Sequence, residues 1–416
     1  MYPPRGYNIP MLQRWIRRPL DAALADTPVV LLTGPRQAGK STLARTLVSE
    51  DRYLTLDDAT LLAAAQADPQ AFIGRARERL VVIDEVQRAP DLLLGIKAAV
   101  DRDRRPGRFL LTGSTNVRFI PSVADALVGR MEILTLWPLS QGEIEGHREG
   151  FLDSVRRGRL PDDPPPVRMD EMAERVVRGG LPAVHDWPER RRAAWLRSYV
   201  MAVLDRDVRE LASLEALAML PRLVTLLATR VGTLVNLADI SRNLGVPHST
   251  LQRHMALLER TYLIRPIPGW GARLGARVLK SGKLLLADSG LATALLRLTA
   301  ARLPAETVCG PMLENFVIME LAKQVSWHEE QPELYHFRTP KGHEVDAVVE
   351  LEGGEVIGIE VTRSQTVTAA DFRGLNELAR LAGRRFRSGV VLYLGRRVVP
   401  FAKNLHAVPM AALWTW

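Results

Sequence analysis

The chain has 416 residues, of which 47% are hydrophobic and 25% charged, a composition that excludes a wholly disordered, collagen-like or coiled-coil protein. At about 150 residues per domain, this length predicts two to four domains. The single cysteine excludes an internal disulfide and a cysteine-based zinc site, and without a long uncharged apolar run we expect a cytoplasmic protein with no membrane segment.

The net charge is +9, from 56 Lys and Arg residues against 47 Asp and Glu residues. This surplus favours a polyanionic partner such as DNA. Seven of the 56 cations are lysines, so a bias toward arginine also contributes to the basic balance. In a chain that nearly always uses arginine, a lysine predicts a position that needs a compact ammonium group.

The first part of the chain alternates apolar, strand-like runs with helix-like stretches between residues 28 and 135. The runs are PVVLLTG, RLVVIDEV, GRFLLTGS and MEILTLW. This alternation is typical of a parallel sheet built from βαβ units. We therefore predict an N-terminal segment over residues 1–24 and an α/β core domain over residues 25–139.

A phosphate-binding loop is predicted directly after the first strand, where the sequence matches G-x-x-x-x-G-K-[ST] at every fixed position. The loop consists of Gly34, Pro35, Arg36, Gln37, Ala38, Gly39, Lys40, Ser41 and Thr42. In such a loop, backbone N–H groups converge on phosphate oxygens, the lysine reaches the β and γ phosphates, and the hydroxyl of Ser41 ligates Mg²⁺. The loop predicts ATP and Mg²⁺; the alternative is a glycine-rich turn without a ligand.

Two later strand ends are expected at the same edge of the sheet. Asp84 ends the second strand and is predicted to hold Mg²⁺, while Glu85 is predicted to act as a general base on the attacking water. After the third strand, Ser114 or Asn116 would read the γ-phosphate or orient the water; the alternative is a turn that caps a helix. Arg130 is a candidate arginine finger, in cis or across a subunit boundary, or an ordinary arginine near a helix end.

A helical lid is predicted over residues 140–215, interrupted by the proline-rich run 161–166, and a winged-helix-like domain over residues 216–295. In the latter, Asn236 would cap one helix, Gly245 would end it, and residues 247–249 would open a second. The second helix would turn outward the candidate DNA-contacting residues Ser249, Thr250, Gln252, Arg253 and His254. The wing would lie around residues 266–269, and the alternative is a unit that mediates domain packing alone.

Residues 296–416 return to mixed helix and strand patterns. Glu314 on a helix, Asp346 on a strand and Glu360 on the next strand resemble the PD-(D/E)XK nuclease core, in which carboxylates hold Mg²⁺ and a lysine supports the reaction. At the lysine position stands Thr362, so the positive charge is missing unless Arg363 or another cation reaches the carboxylates. We predict a degenerate nuclease fold kept as a structural or binding platform, and we interpret His336 and His343 as surface residues.

The motifs GPRQAGKST, VVIDEVQ, LLTGST, ALVGR, WPLSQGE, GGLPA, DRDV, LLLADSGLA and MLENFVIMEL follow one another over nearly the whole chain. In this order they resemble the AAA-like P-loop ATPases of bacteria and archaea that carry a C-terminal domain of unknown function. The resemblance implies an ATPase core and leaves the substrate open.

The predicted fold class is therefore α/β, with a P-loop NTPase sheet, a helical lid, a winged-helix module and a restriction-endonuclease-like C-terminal domain. The predicted function is ATP hydrolysis with Mg²⁺ as a nucleotide-dependent switch or motor that acts on DNA or on a protein client, as a monomer or an oligomer. Two other interpretations stay open: an ATP-gated metal-dependent DNA nuclease, and a regulator or scaffold that binds ATP without hydrolysing it.

Overall fold

A computed structural model describes residues 12–74, 79–114, 127, 129–161, 163–209, 214–272 and 281–416. Within these ranges the chain forms two β-sheets, separated in sequence by a series of helices. No helix of this described part is both long enough and apolar enough to cross a lipid bilayer.

The first sheet has five strands in the order β2–β3–β4–β1–β5, and every neighbouring pair is parallel. The strands are β1 (Val29–Thr33), β2 (Tyr53–Thr55), β3 (Val81–Asp84), β4 (Phe109–Gly113) and β5 (Met131–Thr135). Strands β1, β3 and β4 are buried along their whole length, as expected for a parallel sheet covered on both faces. This arrangement confirms the predicted parallel α/β fold and brings the carboxyl ends of β1, β3 and β4 together.

In the described ranges, five helices accompany this sheet: α1 (Arg17–Asp26), α2 (Lys40–Arg45), α3 (Ala59–Ala67), α4 (Pro69–Ile73) and α5 (Leu92–Arg102). Helices α3, α4 and α5 share an apolar cluster with one face of the sheet, and α1 and α2 share a second cluster with the other. Strand β2 was not predicted from the sequence, because a run of three residues is too short to show a periodicity.

The middle of the chain is helical. Its helices are α6 (Gln141–Glu145), α7 (Phe151–Arg157), α8 (Met169–Arg178), α9 (Glu189–Arg209), α10 (Leu214–Ala228), α11 (Leu237–Leu244), α12 (His248–Arg260) and α13 (Ser289–Leu295). The side chain of Asn236 accepts a hydrogen bond at the start of α11, and Gly245 ends the helix with a φ of 67°. Antiparallel bridges join Leu234 and Ile267 to Lys283, and Ile264 to Leu286, beside α12.

The second sheet is mixed and has six strands in the order β10–β11–β9–β8–β7–β6. Its elements are α14 (Cys309–Trp327), β6 (Glu333–Arg338), β7 (Glu344–Glu350), β8 (Val356–Val361), α15 (Arg373–Ala382), β9 (Phe386–Tyr393), β10 (Val399–Ala402), β11 (Leu405–Pro409) and α16 (Ala412–Thr415). Helix α14 packs with one face of the sheet and α15 with the other. The helices α7 and α8 share the apolar core of α14, so the second sheet is packed against the helical middle.

Candidate functional site

The loop between β1 and α2 is tightly wound. Gly34, Gln37 and Gly39 have φ values of 142°, 62° and 97°, in the left-handed region that favours glycine. A Cβ atom at Gly34 would lie 2.1 Å from the carbonyl oxygen of Leu136, so this position has room for glycine alone. The loop leads directly into α2, whose first amide groups have no carbonyl partner within the helix.

Lys40 and Ser41 both turn into this end of the sheet. The Nζ atom of Lys40 is buried and donates hydrogen bonds to the carbonyl oxygens of Gly34 and Pro35, at 2.9 and 2.8 Å. The hydroxyl of Ser41 donates to Oδ1 of Asp84, at 2.9 Å. The loop and the end of β3 are therefore in direct contact.

The carboxylate of Asp84 is surrounded by hydroxyl groups from neighbouring strand ends. Tyr53 donates to Oδ2 at 2.6 Å, and Thr112 donates to Oδ1. Burial and the negative charge of Asp84 together raise the pKa of Tyr53 to about 12. Sequence reasoning missed Tyr53 and Thr112. Recognising β2 would have placed Thr55 opposite Asp84, whereas Tyr53 lies at the start of that strand, opposite Val82, and reaches Asp84 through its side chain.

Glu85 follows with a left-handed φ of 60°, which turns its side chain toward the end of β4. Its Oε2 atom accepts hydrogen bonds from Nε2 of Gln87 and from the hydroxyl of Ser114, the latter at 3.4 Å. Gln87 Nε2 also lies 3.3 Å from Ser114 Oγ, so the three side chains contact one another. Ser114 lies beside Glu85, Gln87 was missed, and Asn116 lies outside the described residues; the roles predicted for Ser114 and Asn116 stay predictions.

Three side chains from distant parts of the chain contact the loop or Thr33, the residue that precedes it, and we call them the clasp residues: Arg14, Tyr199 and Tyr262. Arg14 Nη1 donates to the carbonyl of Ala38 at 2.6 Å, and Tyr199, on α9, donates to the carbonyl of Arg36 at 3.0 Å. The Tyr262 hydroxyl lies 2.8 Å from the Thr33 hydroxyl, and this contact is buried. No sequence motif pointed to these residues, because their contacts span between 24 and 229 positions.

Arg130 lies at the amino ends of the strands, opposite to the end that carries the loop. Strands β1 and β5 run in register from Val29 opposite Met131 to Thr33 opposite Thr135, so Arg130 precedes the amino end of β5 while the loop follows the carboxyl end of β1. Four steps of about 3.3 Å separate the two ends of the strand. Arg130 pairs with Asp101 at 2.6 Å, and the structure does not bring it to the loop of its own chain.

Helix α12 presents part of the predicted outward face. Ser249, Gln252 and Arg253 are exposed and Thr250 is half-buried. His254 is corrected: it is 6% exposed and lies on the packed side, since it is three residues after the buried Leu251. Burial, followed by the charge of Arg253, lowers the pKa of His254.

The candidate carboxylates Glu314, Asp346 and Glu360 lie near one another, and their predicted relation to a nuclease core stays a prediction. The amide of Asp346 donates to Oε2 of Glu360 at 3.3 Å, and both Asp346 and Glu314 form ion pairs with Lys283. Arg363 is directed elsewhere, since its Nη1 lies 3.3 Å from the carbonyl of Pro304. Sequence reasoning missed Lys283 because it precedes α13, far in sequence from the three acids.

His336 is corrected as well, because it is 3% exposed rather than on the surface, and its Nε2 lies 3.0 Å from the carbonyl of Ser281. His343, which was also interpreted as a surface residue, is half-buried. Throughout the described ranges, no group of three or more His, Cys, Asp or Glu side chains is arranged to hold a metal ion.

A buried polar junction connects the first sheet with α14. The amide of Gln141, on α6, donates to Glu320 at 2.8 Å, and Lys323 donates to the carbonyl of Leu139 at 2.9 Å and to Glu320 at 2.5 Å. Burial raises the pKa of Glu320, although the charge of Lys323 opposes this shift. The nearby Glu143 binds Arg14, so a clasp residue is attached to the same junction.

Comparison with known proteins identifies three matched regions. Residues 26–145 match the model of an AAA domain, residues 169–302 a domain of unknown function (DUF8612), and residues 309–413 another (DUF4143). The first match confirms the predicted AAA-like P-loop ATPase core. The match at residues 309–413 does not decide whether the C-terminal domain is restriction-endonuclease-like.

Two curated relatives are uncharacterized proteins of Mycobacterium bovis and Mycobacterium tuberculosis. Each is 32% identical over 413 residues, covering 95% of this chain and 83% of the relative. Among solved structures, a Walker-type ATPase of Pyrococcus abyssi is similar with a TM-score of 0.42 and 16% identity, over 72% of this chain and 99% of the other.

Proposed function

Since this chain belongs to the same family as the two mycobacterial proteins and carries an AAA domain, we propose that it hydrolyses ATP with Mg²⁺ at the loop of residues 34–42. The observation that carries the proposal is the contact of Ser41 with Asp84 at 2.9 Å, beside Lys40 and Glu85. A hydroxyl and a carboxylate at this distance are oxygen ligands of the kind that Mg²⁺ prefers. Bound there, Mg²⁺ would neutralise charge that develops on the phosphates.

The loop residues would bind the triphosphate. Lys40 would exchange its contacts with the carbonyls of Gly34 and Pro35 for phosphate oxygens, because an ammonium gains more from an anion than from a neutral carbonyl. The positive φ of Gly39 turns the backbone toward the start of α2, where amide groups favour a negative charge.

Glu85 would accept a proton from the attacking water. Gln87 and Ser114 both donate to the Oε2 atom of this carboxylate, which supports a defined orientation for the base. Gln87 Oε1 is also buried and without a hydrogen-bond partner in the described part of the chain, so it has an acceptor position to offer to that water.

The clasp residues support the interpretation as a switch. When Lys40 leaves the carbonyls of the loop, the contacts of Ala38 and Arg36 with Arg14 and Tyr199 would respond first. Tyr199 lies on α9 and Tyr262 directly after α12, so a change in the loop would reach both helices. A protein client or a second copy of the chain would then receive this change.

Phosphate release by the purified full chain tests the proposal. We expect turnover in wild type, loss of ATP binding and turnover in Lys40→Ala, and ATP binding without turnover in Glu85→Gln. Lys403→Ala and Glu352→Gln, both at exposed positions, are the matched controls and should turn over as wild type does. Tight ATP retention without phosphate release in wild type would favour the non-hydrolysing regulator instead.

A second function, DNA contact through α12, is favoured by the exposure of Ser249, Gln252 and Arg253 on one helix. If Arg253 contacts a phosphate, Arg253→Ala should reduce the slope of log affinity against log salt by about 1. Arg384→Ala, at another exposed position, should leave that slope unchanged. Stimulation of phosphate release by DNA would link the two functions, whereas unstimulated release would favour a protein client.

DNA cleavage in Mg²⁺ that is lost in Asp346→Ala would favour the gated nuclease.

A further inference from the structure

The carboxylate cluster of the second sheet is not open. Lys283 forms ion pairs with Asp346, at 3.0 Å, and with Glu314, and its side chain is 7% exposed. Asp346 and Glu314 are 12% and 16% exposed at their side chains, so the three ionisable groups lie in one largely dry site. The second oxygen of Asp346 accepts a hydrogen bond from the amide of Val361, at 2.9 Å.

The backbone of Lys283 is fixed independently of these ion pairs. Its N–H donates to the carbonyl of Ile267 at 2.9 Å, and the N–H of Ile267 donates back at 3.0 Å. The next residue, Leu284, donates to the carbonyl of Thr233, also at 2.9 Å. Lys283 therefore extends from a small antiparallel arrangement that belongs to the region of α11 and α12, and its ammonium group enters the cluster from outside the second sheet.

We propose that Lys283 is a built-in counter-ion, which occupies the place of a divalent cation among Glu314, Asp346 and Glu360 and fastens the segment after α12 to the C-terminal sheet. An ammonium group between two carboxylates takes the position that a metal would need, and a second cation in a buried site would be repelled at close range. Burial alone would lower the pKa of Lys283, but the charges of Asp346 and Glu314 outweigh it and raise the pKa. The lysine therefore stays charged.

The charge missing at Thr362 is thus supplied from a different part of the chain. Thr362 itself accepts a hydrogen bond from the amide of Ser364, at 3.2 Å. The position of Lys283 explains how three acids can lie close together: the ammonium neutralises one charge, and burial raises the pKa values of Glu314, to about 8, and of Glu360. The inference does not depend on ATP hydrolysis.

Binding of Mn²⁺ to the full chain, without nucleotide, tests the proposal. Wild type and Lys403→Met, an exposed lysine as control, should give no Mn²⁺ site that depends on Asp346. Lys283→Met should bind one Mn²⁺ at least about tenfold more tightly than wild type, because a buried positive charge is gone. Adding Asp346→Asn to Lys283→Met should abolish that site. A Lys283→Met protein without this gain would overturn the proposal.

Asp346→Asn in the otherwise wild-type chain keeps the proposal testable if Lys283→Met does not fold. Its Mn²⁺ isotherm should match that of wild type, and the loss of a bound ion would show that the carboxylates hold a metal beside the lysine.

Hydrogen exchange tests whether Lys283 fastens the segment after α12 to the C-terminal sheet. Amides of Ile264, Arg265 and Ile267 and of residues 283–286 should exchange at least about tenfold faster in Lys283→Met than in Lys403→Met, and equal rates would contradict this part.

Discussion

Gln87 is the residue that most changes the view of the candidate active site. It lies two positions after Glu85, and the left-handed φ of Glu85 lets both side chains face the end of β4. The spacing in the sequence does not reveal this contact, because it depends on the left-handed φ of Glu85 and on the turn that follows β3. The motif predicted the base and could not predict its neighbour.

We expect Gln87→Ala to lower kcat for ATP about tenfold while KM changes little. General-base catalysis contributes about 10² to 10⁴ in rate, and a base that has lost one of its two side-chain contacts keeps part of this. Steady-state phosphate release over a range of ATP concentrations measures both constants. Gln66→Ala, an exposed glutamine on α3, is the control. An unchanged kcat in Gln87→Ala would exclude the positioning role.

Gly34 permits a specific prediction about stability. A methyl group there would collide with the carbonyl of Leu136, at 2.1 Å, and the φ of 142° is strained for other residues. We expect Gly34→Ala to lower the free energy of unfolding by about 2–5 kcal/mol. The control is Gly146→Ala: its φ is 74° and a Cβ would meet nothing within 4 Å, so it should cost about 1 kcal/mol. Urea denaturation measures the free energy of unfolding of both variants. Equal losses in the two variants would show that a methyl group at position 34 does not collide with the carbonyl of Leu136.

Three of the six lysines in the described ranges are buried, while Lys97 is half-buried and Lys341 and Lys403 are exposed. Lys40, Lys283 and Lys323 are buried, at 5%, 6% and 4% exposure, and each contacts carbonyl or carboxylate oxygens. The arginine bias predicted that a lysine marks a place for a compact ammonium group. It could not predict the partners, since these come from other elements.

At the scale of single elements, the apolar runs predicted where most strands of the first sheet lie, but they did not predict how the strands pair. The apolar runs identified β1, β3, β4 and β5, because buried parallel strands read as continuous hydrophobic stretches. The position of Arg130 depended on which end of β5 meets which end of β1, and this is a property of the paired strands. A helix-period reading of α12 would have placed His254 correctly, since it shares a face with Leu251 and Leu258.

His254 makes the packing of α12 sensitive to acid. Its lowered pKa means that the unfolded chain binds a proton more readily than the folded chain below about pH 6.5, so stability falls as the pH falls through this range. One such group contributes a slope of up to about 1.4 kcal/mol per pH unit. We expect His254→Gln to reduce the difference in melting temperature between pH 7.5 and pH 5.5. His248→Gln, exposed on the same helix, should retain the wild-type difference; the same difference in His254→Gln would contradict the assignment.

At the scale of the whole molecule, the junction at Glu320 and Lys323 joins α14 to Leu139 and Gln141, in the segment that follows the first sheet. Removing the lysine leaves a buried carboxylate without its cation, so Lys323→Met should lower the free energy of unfolding by about 3–5 kcal/mol. The double variant Glu320→Gln, Lys323→Met should recover part of this loss, because no uncompensated charge is left. Lys403→Met is the control for urea denaturation. A double variant as unstable as Lys323→Met would show that packing, not charge, carries the effect.

Sequence reasoning thus reached the elements and the loop, but not the contacts between distant parts. Asp84 and Ser41 were paired in advance because two short motifs fix their positions on a known kind of sheet. Arg14, Tyr199 and Tyr262 belong to no motif, and only the packing of the helical middle against the sheet brings them to the loop. Such contacts are set by tertiary structure, which local patterns do not encode.

The clasp has a consequence for the order of events on the ribosome. All five strands of the first sheet have been synthesised once residue 135 emerges, but Tyr262 follows only about 130 residues later. At roughly 5–20 residues per second, this delay is on the order of 6–25 seconds. All the strands of the first sheet are therefore available to pair before the hydroxyl of Tyr262 can reach Thr33 at the end of β1.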